Sequence, residues 1–363
     1  MSGYGQIRAG IARPEKSSPP FTIELLHEAS DPPGSGTRHD HDKYNSLLPA
    51  TYRTETGELV AAGRHVKLCI GQELDLQRLT DVHDWLWFAG LPRLPRPLHH
   101  QLLIGHEIVI TERLDMHLVW TTGRLFLKPI PRYLLEPSFW TENLNCALGC
   151  ACAHDGKLAT QTTTTFCHSQ TLRRRALGFL FSYAALVSHE SDFRSAQAKL
   201  LLPSEVRWLD WRVFVDELDL EHIYSRIDPR FYHAELRLSR LNILYAALRT
   251  PFRGYVPLWN QYGLFIRDNF AWLAGATVYI AIVLTAMQVG LVTESLAHSS
   301  SFQAASYGFT VFSILGPLIT AALIIIASIC VLIVNIIRAL RFTDRRIAKI
   351  NSQGREYSSG QRS

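Results

Sequence analysis

Trp272-Leu273-Ala274-Gly275-Ala276-Thr277-Val278-Tyr279-Ile280-Ala281-Ile282-Val283-Leu284 is the stretch that decides the class of this protein. It forms the middle of a run from Asn269 to Thr293 that contains no Asp, Glu, Lys or Arg. A second apolar stretch, about 309–337, includes Ala321-Ala322-Leu323-Ile324-Ile325-Ile326-Ala327. A hydrocarbon core about 30 Å thick needs roughly 20 apolar helical residues, and both stretches meet that length. Core helices of soluble proteins seldom run so far without a charge. The sequence therefore predicts a C-terminal two-helix transmembrane hairpin over 258–337, with spans at about 269–291 and 309–337.

Working outward, the basic residues set an orientation. Arg249, Arg253 and Arg267 precede the first span, and Arg338, Arg341, Arg345, Arg346 and Lys349 follow the second. The connection from about Glu294 to Tyr307 has neither Lys nor Arg. Retention of basic flanks on the cytoplasmic side places both termini in the cytosol and the Ser-rich connection outside or in a lumen. Residues 1–20 have no apolar core segment, so no cleaved signal is expected. The five cysteines before the spans are then expected to stay reduced. The expected location is integral to the plasma membrane or the endoplasmic reticulum.

Charge and composition agree with this division. The net charge of +5 resides wholly in residues 338–363, and the rest of the chain balances its acids and bases. No nucleic-acid surface is implied by a body without a basic excess. The tail interleaves its five bases with Leu340, Phe342, Ile347 and Ile350. That pattern suits a juxtamembrane helix lying on an anionic leaflet, where each base contributes about 1 kcal/mol. The alternative is a flank that only sets orientation. At 47% apolar and 19% charged, the whole chain can build a core.

Residues 1–43 are rich in Pro, Gly, Ser and charge and read as a disordered lead with one short ordered patch at Phe21–Leu26. Residues 44–257 read as a cytosolic α-rich domain. Within it the pattern predicts a helix over Leu74–Phe88 and strands at Glu107–Thr111 and Leu118–Lys128, with Thr121-Thr122-Gly123 making a hairpin turn. Ala176–Val187 is too short to span and reads as a core helix. Asp228-Pro229 predicts a helix start carrying Ala234, Leu238, Leu241, Tyr245 and Leu248 on one face. Trp208, Trp211, Val215 and Leu218 make a second apolar face. The predicted fold is predominantly α, with a small β hairpin in the cytosolic domain and a membrane hairpin after it.

Candidate chemistry is sparse. Cys146, Cys150, Cys152 and Cys167, near His154 and His168, could hold a tetrahedral metal, but their spacing is not that of two zinc knuckles. Ordinary thiols without bound zinc are expected. Gly156-Lys157 lacks the upstream Gly and following Ser or Thr of a phosphate loop. His39-Asp40-His41 lies in the lead, His106-Glu107 lacks a second His, and His99-His100 follow Pro92, Pro95 and Pro97 in what reads as a linker. No Gly-x-Ser-x-Gly elbow is present. No cofactor is expected. The charge-free spans argue against a proton relay. Ala271 and Gly275 form a small-xxx-small pair at which the hairpin could pack on itself.

Four segments carry a family resemblance. Trp85-Leu86-Trp87-Phe88-Ala89-Gly90-Leu91-Pro92, Leu125-Phe126-Leu127-Lys128-Pro129-Ile130-Pro131, Glu235-Leu236-Arg237-Leu238-Ser239-Arg240-Leu241-Asn242 and Ala286-Met287-Gln288-Val289-Gly290-Leu291 resemble an uncharacterised family of filamentous-fungal two-pass membrane proteins. The resemblance spans about 44–337. It implies a fungal source and a cytosolic domain joined to a helical hairpin, and it names no activity. A more distant, architectural likeness is to CorA-type magnesium channels, which carry Gly-Met-Asn at the outer end of the first span. This chain has Ala286-Met287-Gln288 there, followed by Glu294, so two of the three signature positions depart. Pro251, Gly254 and Pro257 also interrupt the stalk helix such channels use.

The sequence thus favours a non-enzymatic, multi-pass membrane protein. Its cytosolic interaction domain would bind a protein partner as an accessory factor in fungal cell-surface or membrane organisation. The alternative is a divalent-ion channel whose path would run by Ala286, Met287, Gln288 and Glu294.

Overall fold

A computed structural model describes residues 18–26, 46–54, 57–146, 167–249, 254–256 and 262–319, with positions 322, 326 and 333. The chain divides into two compact units, Met1–Val256 and Pro257–Ser363.

The first unit opens its regular structure with an antiparallel pair, β1 (Thr51–Arg53) and β2 (Leu59–Ala61), with Tyr52 opposite Val60. Gly57, at φ 80°, allows the turn between them. Three short helices follow: α1 (Val66–Glu73), α2 (Gln77–Thr80) and α3 (Leu86–Ala89), with a 3-10 turn at His83–Trp85 between the last two. A continuous helix over Leu74–Phe88 is therefore corrected. Buried Leu76, Leu79, Val82 and Leu86 keep the three- and four-residue spacing of one helical face, but the backbone leaves helical geometry at Leu74, Leu76 and Val82, with Val82 at φ −124° and ψ 19°. The Asp75 carboxylate also accepts the Gln77 N–H at 2.8 Å, closing a local turn in place of a helical bond.

Helix α4 (Leu98–Leu103) starts directly after Pro97, so the segment read as a linker is partly helical. Strands β3 (Glu107–Ile110), β4 (Val119–Thr121) and β5 (Arg124–Leu127) form most of a four-stranded sheet in the order β3-β5-β4-β6. The predicted hairpin is present between β4 and β5, where Gly123 takes φ 72°. The earlier strand was expected as part of that simple pair; instead β3 lies parallel to β5, with Val109 opposite Phe126. The crossover is possible because Leu118 adopts φ 59° after a 3-10 turn at Leu114–Met116, which returns the chain to the far side of β5.

The later part is helical: α5 (Pro137–Asn143), α6 (His168–Leu186), α7 (Glu190–Ala198) and α8 (Trp208–Glu217). Helix α6 contains the apolar run Ala176–Val187 up to its C-cap and buries Leu172, Ala176, Leu177, Phe179, Leu180, Tyr183 and Leu186. Gly178 lets it close on Phe231, since a Cβ there would lie 2.2 Å from the ring. Trp211 and Phe214 turn α8 inward, and Phe21 packs edge-on against Phe214 with centroids 4.9 Å apart. Phe21 and Leu25, in the short ordered patch expected within the lead, are thus part of the core. Residues 1–17 and 27–43 of that lead lie outside the described residues.

Asp228-Pro229 does start a helical turn, with the Asp228 carboxylate accepting the Arg230 N–H at 2.9 Å, but it is a 3-10 turn of four residues. The chain then forms β6 (Leu236–Arg237), parallel to β4, and only afterwards α9 (Leu238–Leu248). Ala234 and Leu238 therefore do not share a helix, and Leu248 is exposed. The sheet bond won: Leu236 N–H donates to the Leu118 carbonyl at 2.8 Å.

The second unit holds α10 (Tyr262–Val292), α11 (Glu294–Ala297) and α12 (Ser300–Ile319). Ser299 caps α12 by accepting the Phe302 N–H at 3.4 Å, so much of the connection read as a loop is helical. Gly290 gives the Phe302 ring room, a Cβ there falling 2.5 Å from Cζ. Among the described residues, by contrast, nothing lies within 4 Å of a Cβ placed on Gly275. Among the described residues, α12 is the one helix long and apolar enough to cross a membrane; Thr277–Val292 of α10 is apolar over a shorter length.

Candidate functional site

Several charged side chains are buried inside the first unit. Lys128, which follows β5, is 0% exposed, and its ammonium donates to Glu73 Oε2 at 2.6 Å and to the Glu112 carbonyl. Around it the polar groups are ordered in series. Lys128 N–H donates to His117 Nδ1 at 3.2 Å, so Nε2 carries the ring proton and donates to Ser182 Oγ at 2.8 Å. Ser182 in turn donates to the Phe179 carbonyl. Burial, with Arg230 and Lys128 nearby, pushes the His117 pKa well down and keeps it neutral. Burial and the Glu73 carboxylate push the Cys69 thiol up to about 11, although Lys128 pulls the other way. A thiol protonated at neutral pH is a poor nucleophile. This cluster is built to hold α1, β5 and α6 together.

A second polar group pins the segment between α3 and α4. Glu235 accepts from Arg96 N at 3.0 Å, Arg96 Nε at 3.2 Å and Gln101 Nε2. Burial alone would raise its pKa, but the Arg96 donors hold it below the usual carboxylate range. Gln101 Oε1 meets His106 Nδ1 at 2.8 Å, and His106 lies against Trp120. On and around this segment Leu86, Ala89 and Leu98 are buried, while Trp85, Trp87, Leu91, Leu94 and Leu103 are exposed. Trp87 is 59% exposed and Leu103 80%. Arg93 stands beside them with its guanidinium 3.6 Å from Glu235.

The third group joins two helices. Asp192, on the first turn of α7, is fully buried, while His99 of α4 and His189 just before α7 are exposed. Asp192 Oδ1 accepts the His99 backbone N–H at 2.7 Å, and Oδ2 accepts that of His189 at 3.1 Å. The His99 ring nitrogen Nδ1 lies 2.9 and 3.2 Å from the two carboxylate oxygens, and His189 Nδ1 lies 3.5 Å from Oδ2. Among the described residues this is the one set of three or more His, Cys, Asp or Glu able to converge on an ion. Sequence reasoning missed it, because its partners lie 93 residues apart and His99 sits in a proline-rich stretch.

Of the four cysteines singled out from sequence, Cys146 and Cys167 come together, with sulfurs 3.4 Å apart. Cys167 accepts the Gln170 N–H at 3.4 Å and so caps α6. Cys150 and Cys152 lie outside the described residues, as do Gly156-Lys157 and His39-Asp40-His41. Ala286, Met287 and Gln288 fall on the last turns of α10 and Glu294 opens α11, with Ala286, Gln288 and Glu294 exposed. The basic tail, Arg338, Arg341, Arg345, Arg346 and Lys349, is outside the described residues.

Residues 66–317, more than half of the chain, match a family of unknown function (DUF6601). No curated protein and no solved structure matches.

Proposed function

We propose that this chain, which belongs to the DUF6601 family of unknown function, is a non-enzymatic integral membrane protein whose folded first unit docks a protein partner at the membrane surface. The observation that carries the reading is α12. It holds no Asp, Glu, Lys or Arg, and only 6% of its apolar window is buried inside the chain. A helix of that composition needs either a protein cover or lipid. With α10 before it, the same physics suggests a two-helix hairpin, and the basic flanks suggest that both termini are cytosolic. The basic tail would rest on anionic lipid there. A fungal plasma membrane or endoplasmic reticulum, and a role in cell-surface or membrane organisation, follow from the resemblance of the sequence to fungal two-pass proteins.

The docking face is Trp85, Trp87, Leu91, Leu94 and Leu103, which remain exposed on either side of Arg96, whose backbone N–H Glu235 holds. Exposed tryptophan and leucine beside arginine is the composition of interface anchors. The non-enzymatic part is supported by the neutral, buried state of Cys69 and His117. Alkaline carbonate extraction of native membranes, followed by protease treatment of sealed vesicles, tests the reading. The chain should stay in the pellet and both terminal tags should be digested from the cytosolic side. Release into the supernatant, or protection of either tag, would overturn it.

A further inference from the structure

The geometry points to a metal site: we propose that His99, His189 and Asp192 bind one divalent transition-metal ion of the zinc class, with its fourth position open to solvent. A tetrahedral ion with ligands at about 2.0–2.2 Å holds its donors roughly 3.3 Å apart. His99 Nδ1 stands 2.9 and 3.2 Å from the Asp192 oxygens, and His189 Nδ1 stands 3.5 Å from Oδ2, so both imidazole–carboxylate separations are close to ligand spacing. All three ligand atoms lie within 4.8 Å of one another.

The surroundings fit an ion as well as the distances do. The two imidazoles meet edge to face, with centroids 5.3 Å apart and planes at 85°. Each Asp192 oxygen takes one backbone N–H, from His99 or His189, which orients the carboxylate and leaves further lone pairs for an ion. Two imidazole nitrogens with one carboxylate select zinc-like ions over calcium and magnesium, which prefer oxygen. The positive end of α7 opposes a cation only weakly, and one carboxylate with two nitrogen donors outweighs it. With the His99 and His189 side chains 49% and 67% exposed, water or a partner's side chain can reach the remaining position. Binding would clamp α4 to α7.

The test uses the full chain in detergent, stripped with a chelator and titrated with zinc chloride by calorimetry. One ion per chain should bind, and His99→Ala or His189→Ala should each weaken binding at least tenfold. Because its ring is 67% exposed, His189→Ala should keep the melting temperature of the stripped parent, while zinc should raise that temperature only in the parent. Cobalt(II) should give visible bands of a tetrahedral site without the near-ultraviolet absorption of a thiolate ligand. Three results would overturn the proposal: no saturable zinc binding, unchanged affinity in both variants, or a thiolate band that moves the ion to the cysteines.

Discussion

Lys128 and Arg230 are sealed inside the first unit, whereas Ile282, Val289 and Val292 lie open on α10 of the second. The difference is one of partners. A buried cation is tolerated where every donor finds an acceptor, and the first unit supplies carboxylates and backbone carbonyls at the required positions. Among the described residues of the second unit, these side chains of α10 and the apolar window of α12 find no such cover, which suits a surrounding that is itself apolar.

The sharpest way to break this contrast is to remove a buried donor set. Arg230, with burial lowering its pKa to about 10, donates to the carbonyls of His233 at 2.9 Å, Ala234 at 3.4 Å and His117 at 3.0 Å. Arg230→Ala strands those carbonyls in the core and should cost about 3–5 kcal/mol in denaturant unfolding of the first unit. A loss under about 1 kcal/mol would show that the buried charge is not structural. The complementary substitution places a charge on the second unit. Ile314→Lys puts an ammonium on the exposed face of α12 and should oppose membrane insertion by about 2.5–3.5 kcal/mol. Glycosylation-site mapping reads the inserted fraction, and an unchanged fraction would mean that α12 does not span.

Acid should separate the two units next. Burial lowers the pKa of His117, His233 and His106, with His233 brought down to about 4. These groups stay neutral when folded but take up protons when unfolded, so the unfolded state gains as pH falls through about 6.5. The stability they support is present above that pH and is lost progressively down to about pH 4. For His233, discounted for its partial exposure, the loss between pH 7 and pH 5 should be about 1–2 kcal/mol. The first unit should melt earlier at pH 5, and His233→Gln should flatten the pH dependence. A pH-independent melting temperature would contradict the buried, neutral histidines.

How much of this was legible in the sequence follows from the range of each signal. The core helix around Ala176–Val187, the turn at Gly123 and the apolar C-terminal stretches are local patterns, and each was readable from its own residues. The parallel register of β3 on β5 was not, because residues 107 and 124 are joined by a crossover that turns on a left-handed Leu118. The helix expected from Asp228-Pro229 failed for a related reason, since Leu236 is taken up by β4. The His99, His189 and Asp192 cluster left only a faint trace, an acid three residues after His189 at a helix start. Its His99 half is brought in by tertiary packing of α4 against α7, which no spacing rule encodes.

The smallest expected effect on stability comes from the exposed face of the first unit, and it sharpens the contrast between neighbouring side chains. Leu86 is fully buried and Trp87, the next residue, is 59% exposed. Leu86→Ala should cost about 2–5 kcal/mol through cavity formation. Trp87→Ala touches no buried donor; its ring meets Phe88 edge-on with centroids 6.2 Å apart, an interaction worth about 1 kcal/mol at most when half exposed. Trp87→Ala and Trp85→Ala together should therefore shift unfolding by no more than about 0.5–1 kcal/mol. If the face is a docking surface, the same pair should remove a co-purifying protein from native-membrane pulldowns while leaving the level of the chain itself unchanged. Retention of every partner at wild-type stoichiometry would show that these tryptophans are ordinary surface residues and that the docking face lies elsewhere.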